Sequence, residues 1–368
     1  MRTTLVTRGA LAAGAIGLAL CALGALIDPL QTYASYLTAY AAGLSVVVGA
    51  LMLVMIAQVS GGRWFTPFRP IALRVTGTLP LFALLFLLLL PGLHALYPWI
   101  PPLDHLSPEL QQAIRRKQSY LNVPGFMVRA VIYFAVWIGF SRLIRRAPGA
   151  ASAAGLPLVG LTLTFAAFDW LMSLTPDWFS TIYGLYYFAG GFLGALALVA
   201  LLAYAGERLG FSVPVGPERY HSLGKMLLTF VLFWAYVAFA QLLIIWIADL
   251  PNEVGWYLPR LQGSWGILGL VLLGGQFLIP FLLLLFRRIT TSPKGLGLIG
   301  GWLLLMHYLD LYWLVLPVRS PYGVSLHWQD VAGILLVGGL AVAFAGRIRS
   351  EKLAVQEAGA RSEESYAV

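Results

Sequence analysis

Apolar residues in this chain come in long unbroken runs. They show neither the alternation of a half-buried strand nor the narrow stripe of a soluble amphipathic helix. Ten runs approach or exceed the roughly 20 residues that carry a helix across a bilayer: 5–27, 34–58, 71–97, 125–144, 157–174, 180–205, 221–248, 263–286, 295–317 and 328–347. Backbone polar groups in hydrocarbon must be satisfied within the chain, so only helices or a closed barrel can span. Continuous runs select helices. The pattern predicts an all-α polytopic membrane protein with one integral domain over 1–350. A polar tail over 351–368 is expected to be disordered and cytoplasmic.

Composition agrees. The 368 residues are 60% hydrophobic and 11% charged, with mean hydropathy +0.82; soluble domains carry about a quarter charged residues. The first run has a basic flank, but its apolar core is long for a signal peptide and no small-residue cleavage site closes it. It reads as an uncleaved first helix. In the longest loop, 98–126, Ser107-Pro108-Glu109 is a helix start signal. The following ELQQAIRRKQSYL predicts a short helix, either a solvated connector or a partner-docking element.

The net charge of +9 raises a nucleic-acid reading, which its distribution removes. With the N-terminus inside, Arg115, Arg116, Lys117, Arg129, Arg260 and Arg319 fall outside; the other 18 of the 24 Lys and Arg fall inside. The positive-inside rule then puts both termini in the cytoplasm. The basic excess is topological, and no nucleic-acid partner is expected.

Ionisable groups inside membrane helices cost about 2.5–3.5 kcal/mol on insertion scales, which makes each a functional candidate. In HYLDLYW (307–313), His307 falls near the centre of the ninth run, and Asp310 lies one turn further out on the same face. Asp169 falls near the outer end of the fifth run and Arg129 in the outer first turn of the fourth. Asp28, Asp177, Asp249 and Glu253 gather at the outer surface. Gln241 and Gln276 lie near mid-depth; Gln58, Arg74, His221 and Lys225 lie on the inner side. This ladder suits a half-channel for protons, or for a quinol headgroup, from the outer side to mid-membrane. Simpler roles stand beside it. Asp169 and Arg129 would pair to fix helix packing, and the glutamines would be interhelical hydrogen-bond glue. The terminal Trp and Tyr would form an aromatic belt. His307, with an ordinary pKa near 6.5 and a carboxylate one turn away, fits a proton carrier best.

One cysteine excludes a disulfide framework and any four-cysteine iron–sulfur or zinc site within the chain. A membrane b-type haem needs paired deep ligands. Of the five histidines only His307 is central; His94, His105, His221 and His327 lie at helix ends or in a loop. No covalent or metal-ligated cofactor is expected.

Four stretches carry a family resemblance: SYLNVPGFMVRAVIYFAVW (119–137), FAAFDWLMSLTPDWFSTIYGLYYFAGGF (165–192), YHSLGKMLLTFVLFWAYVAFAQLLIIWIADLPNEVGWYLPR (220–260) and GWLLLMHYLDLYWLVLP (301–317). Their order and spacing, over roughly residues 5–350, resemble the ActF-type membrane subunits of alternative complex III. That complex is the bacterial quinol:cytochrome c oxidoreductase, and these subunits are similar to NrfD-like, polysulfide-reductase-type membrane subunits. The resemblance implies two four-helix bundles flanked by the first and last helices. It also implies a respiratory-chain assembly with a second NrfD-like subunit, haem c and iron–sulfur subunits, and the quinone pool. Proton conduction, with or without a quinol site, would fall on Asp169, His307 and Asp310, with Gln241, Lys225 and Arg129 weaker. Gly125 departs from the family, where an aromatic often follows the proline. A proton-coupled secondary transporter is the alternative: Pro80, Pro91, Gly274-Gly275 and Pro280 would interrupt helices as in transporters, although no repeat is evident.

Overall fold

The computed structural model describes residues 2–104, 106–209 and 214–348. It is 83% helical, with no strand among the described residues. Ten helices are long and apolar enough to cross a membrane: α1 Leu5–Ile27, α2 Pro29–Val59, α3 Arg69–Leu87, α4 Val123–Arg146, α5 Pro148–Leu174, α6 Tyr183–Arg208, α7 Pro217–Ala248, α8 Gly263–Leu284, α9 Pro293–Val318 and α10 Trp328–Arg347. The chain is a multi-pass membrane protein. His105, Arg349 and the expected tail at 351–368 lie outside the described residues.

Caps set several starts. Asp28 accepts from Gln31 N at 3.1 Å, so α2 begins at Pro29 rather than 34. Asn122 caps α4 and Ser292 caps α9 in the same way, each with proline in the first turn. The third run fits least well. The α3 helix ends at Leu87, not 97, and the chain passes through a 3-10 turn at Leu90–Gly92 into the short helix Leu93–Leu96. Pro91 has no N–H to continue the ladder.

The predicted surface helix forms as Pro108–Lys117, with Ser107 Oγ accepting from Leu110 N. It docks on this chain: Ile114 is buried, and Lys117 Nζ donates to Pro176 O at 2.6 Å. A second connector helix, Pro251–Leu261, folds over the end of α9.

Helices α2–α5 form one four-helix group and α6–α9 another, while α1 and α10 pack together against α2. The groups meet mainly where α2 crosses α6. There a Cβ on Gly191 would stand 2.6 Å from Ser45 Cβ, and one on Gly49 would stand 2.6 Å from Gly191 O. Only glycine permits this approach, and it brings Ser45 within reach of α9.

In α8, residues Leu273–Leu278 form a π turn. Pro280 cannot donate to the Gln276 carbonyl four residues back, so the ladder widens, and Ile279 N reaches Gly274 O instead. The freed Gly275 carbonyl accepts from Trp302 Nε1 at 2.6 Å.

Candidate functional site

The middle of α9 carries a deeply buried titratable cluster. His307 and Asp310 share one face, as one helical turn requires, and are 3% and 1% exposed. They do not share partners. Asp310 Oδ1 accepts from the Tyr186 hydroxyl of α6, and Oδ2 accepts from Trp234 Nε1 of α7 at 3.1 Å. Gln276, placed by the π turn, closes the shell. With its amide nitrogen on Met306 O (3.0 Å), its oxygen meets the Trp234 N–H from the other side (3.1 Å). Both carboxylate oxygens therefore face donors, the arrangement that holds a carboxylate in a dry interior.

His307 turns the other way. Its Nε2 lies 2.9 Å from Ser45 Oγ on α2. Ser45 donates its own proton to Ala42 O at 2.9 Å, which leaves its lone pairs to accept. The protonated ring nitrogen is thereby assigned as Nε2, and Nδ1 is the acceptor. Nδ1 is buried and makes no hydrogen bond within the protein. It points at α6: a Cβ on Gly190 would lie 3.1 Å from Nδ1 and 3.5 Å from Asp310 Oδ2. The open lone pair of His307 and the carboxylate of Asp310 therefore face one point, which a glycine leaves free of side chain.

A second cluster lies across the other helix group. Arg129 Nε and Nη2 donate to Asp169 Oδ2 and Oδ1 at 2.9 and 3.0 Å, and the Tyr133 hydroxyl adds 2.6 Å to Oδ2. The expected outer-end pair is a bidentate ion pair. The Tyr120 ring lies 3.9 Å from the guanidinium carbon. Gly125 has a local reason: a Cβ there would stand 3.0 Å from Arg129 Nη1, so an aromatic would press on the pair. Asp169 takes three hydrogen bonds from Arg129 and Tyr133, an arrangement that suits packing.

The rest of the expected ladder is dispersed. Gln241 donates to the Tyr257 hydroxyl of the connector at 3.0 Å and not to Asp310; α7 turns it toward the folded-back connector, which sequence spacing does not reveal. Lys225 is exposed on α7. His221 Nδ1 pairs with Thr290 Oγ1 at 2.8 Å, and Gln58 bonds Ser152 and Ile144 O. Asp28 pairs with Arg319.

Several residues had no signal as site members. Tyr186, Trp234 and Ser45 read as belt or filler, yet they hold Asp310 and His307. The buried hydroxyls of Tyr97 and Tyr187 donate to Trp170 O and Ala41 O, carrying polar character between the two clusters. Asp330, absent from the expected set, caps α10 and accepts from Ser35 Oγ at 2.5 Å. Arg260 is not an exposed outer charge. It is 3% exposed, donates to the carbonyls of Trp256, Trp313 and Leu314, and stacks 3.6 Å over Trp256. It satisfies the end of α9, and burial pulls its guanidinium below the ordinary arginine range, with Tyr183 and Tyr257 opposing.

Among the described residues, no three His, Cys, Asp or Glu side chains gather as metal ligands. No family model matches the chain, and no curated protein matches it.

Proposed function

We propose that this chain is the proton-handling, cofactor-free membrane subunit of a quinol-oxidising electron-transfer complex of the alternative complex III type. The observation that carries the proton role is the facing of His307 Nδ1 and Asp310 Oδ2 beside Gly190, both groups buried. A proton arriving at Asp310 protonates Oδ2. It passes to His307 Nδ1, giving an imidazolium and restoring the carboxylate. The imidazolium then gives its Nε2 proton to Ser45 Oγ as the Ser45 hydroxyl turns from Ala42 O and gives its own proton to water on the inner side, which leaves Ser45 neutral and the ring as its Nδ1–H tautomer until the tautomer resets. Charge balances at each step, and no electron moves within this chain.

The complex is supported by the four motif stretches and their order. Its partners on this reading are a second NrfD-like subunit, haem c and iron–sulfur subunits and the quinone pool, in a bacterial inner membrane. The orientation follows the charge split. Arginines crowd one end of the helix group, which the positive-inside rule makes cytoplasmic; a C-terminal reporter active only in its cytoplasmic form would support this. Affinity purification of the tagged full chain tests the assembly. Copurifying haem c and iron–sulfur polypeptides support the reading. A chain that purifies alone, and whose liposomes accumulate a solute with protons, supports the proton-coupled transporter. The π turn at Gly274-Gly275 in α8 is the feature that favours that second reading.

A further inference from the structure

At the arginine-rich end of the molecule, where α2 stops and the chain turns into α3, lies a cavity of about 230 Å³. Its walls include Gln58, the Gly61-Gly62 turn, Arg63, Thr66 and Arg69. We propose that it binds the phosphate of an anionic phospholipid headgroup, held by Arg63 and Arg69.

The chemistry of the lining points to an oxyanion. Two arginines border the space and no carboxylate does. Among the described residues neither guanidinium has an ion-pair partner, and Glu207 and Glu218 are engaged elsewhere, with Tyr220 and Arg287. Arg69 Nε is buried and has no hydrogen-bond acceptor among the described residues, so no described group of the protein neutralises this guanidinium. The Gln58 amide is already committed to Ser152 and Ile144 O, so it forms wall rather than ligand. Arg63 is held in place through its carbonyl, which accepts from Arg219. Two forked guanidinium groups and the Thr66 hydroxyl match the tetrahedral oxygens of phosphate.

Position and size select the lipid source. The cavity opens where α2 leaves its span, beside exposed Val59 and half-buried Trp64, an interfacial pair of residues. Lipid phosphates lie at that depth, and basic pockets between membrane helices take anionic headgroups. The volume equals roughly seven waters, enough for a phosphodiester and part of its headgroup while the acyl chains stay along α2.

The test uses the full chain, delipidated in neutral detergent, with phosphatidylglycerol, phosphatidylcholine or inorganic phosphate added. Bound lipid is read by native mass spectrometry and the thermal midpoint by intrinsic fluorescence. Phosphatidylglycerol should bind and raise the midpoint, phosphatidylcholine should do so far less, and Arg63→Gln/Arg69→Gln should weaken phosphatidylglycerol binding at least ~tenfold. Arg63→Lys/Arg69→Lys, which keeps both charges but not the forked geometry, should bind more tightly than the Gln double variant and so separates loss of the site from loss of the fold. Arg142→Gln/Arg146→Gln, removing two arginines from the same end outside the cavity, should bind as the parent does. Undiminished binding by the Gln double variant, or an equal loss in the Arg142/Arg146 variant, overturns the site. Inorganic phosphate reproducing the full stabilisation overturns the lipid as its occupant.

Discussion

His307 Nδ1 and Asp310 Oδ2 face each other over the bare Cα of Gly190: a methyl on that glycine would touch both, at 3.1 and 3.5 Å. They lie one turn apart on α9, yet each is held by a different helix. Ser45 of α2 fixes the imidazole, and Tyr186 of α6 with Trp234 of α7 fixes the carboxylate. The two groups are thus held from different helices, and a single small residue lies against both.

Gly190→Ala tests the gap. The ring must give by only a few tenths of an ångström, and alanine is favoured over glycine inside a helix by up to about 1 kcal/mol. Stability should hold or rise. Proton release by the assembled complex should fall, because the methyl presses on the imidazole at Nδ1, 3.1 Å away, beside Asp310 Oδ2. Unchanged proton release would show that the gap is only packing.

The Arg129–Asp169 pair should behave as structure. Asp169 is fully buried and Arg129 about one-fifth exposed. Asp169→Asn leaves a partly buried guanidinium short of its partner and should lower stability by roughly 2–4 kcal/mol, toward the low side of the range for broken buried pairs because solvent reaches the arginine. Arg129→Met/Asp169→Leu removes both charges and should recover most of the thermal midpoint in detergent. A double variant as unstable as Asp169→Asn would show that the charges do more than hold α4 against α5.

Asp28 gives a pH dependence outside the membrane. The Gln31 backbone N–H, and then Arg319, hold its carboxyl below the usual carboxylate range. A depressed folded pKa means the unfolded chain binds the proton first as pH falls. The stabilisation by Asp28 is therefore complete above the ordinary carboxylate pKa of about 3.9 and lost as pH drops through the folded value. The midpoint difference between the parent and Asp28→Asn should be present at pH 7 and vanish in strong acid. A difference independent of pH would assign the effect to shape rather than charge.

The spans were legible because length and continuity of apolar runs are a local property; only Pro91 cut one short by an effect the run itself hides. Arg129 with Asp169 was legible because both sit near the same ends of consecutive helices. His307 and Asp310 stood out by cost alone. Their shell did not, since Tyr186, Trp234 and Ser45 come from three other helices, and their residue types are ordinary in membranes. The partner of Gln241 was not legible for the same reason: depth along α7 is readable, but its facing toward Tyr257 depends on how the connector folds back. Arg260 was hidden because a positive charge near a helix end normally signals the surface; only the fold shows it capping α9.

The proton role of Asp310 is tested most directly by Asp310→Asn in the assembled complex, reconstituted into liposomes with an enclosed pH dye. The substitution preserves the packing. The Asn oxygen accepts from Trp234, whose N–H can only donate, and the amide donates to the Tyr186 oxygen, whose hydroxyl can turn to accept. Assembly and thermal midpoint should stay near those of the parent, while quinol-driven proton release falls at least ~tenfold, about 1.4 kcal/mol or more in barrier, with His307→Phe as severe. Proton release unchanged in both variants would contradict the relay and leave His307 and Asp310 as parts of the packing between α2, α6, α7 and α9.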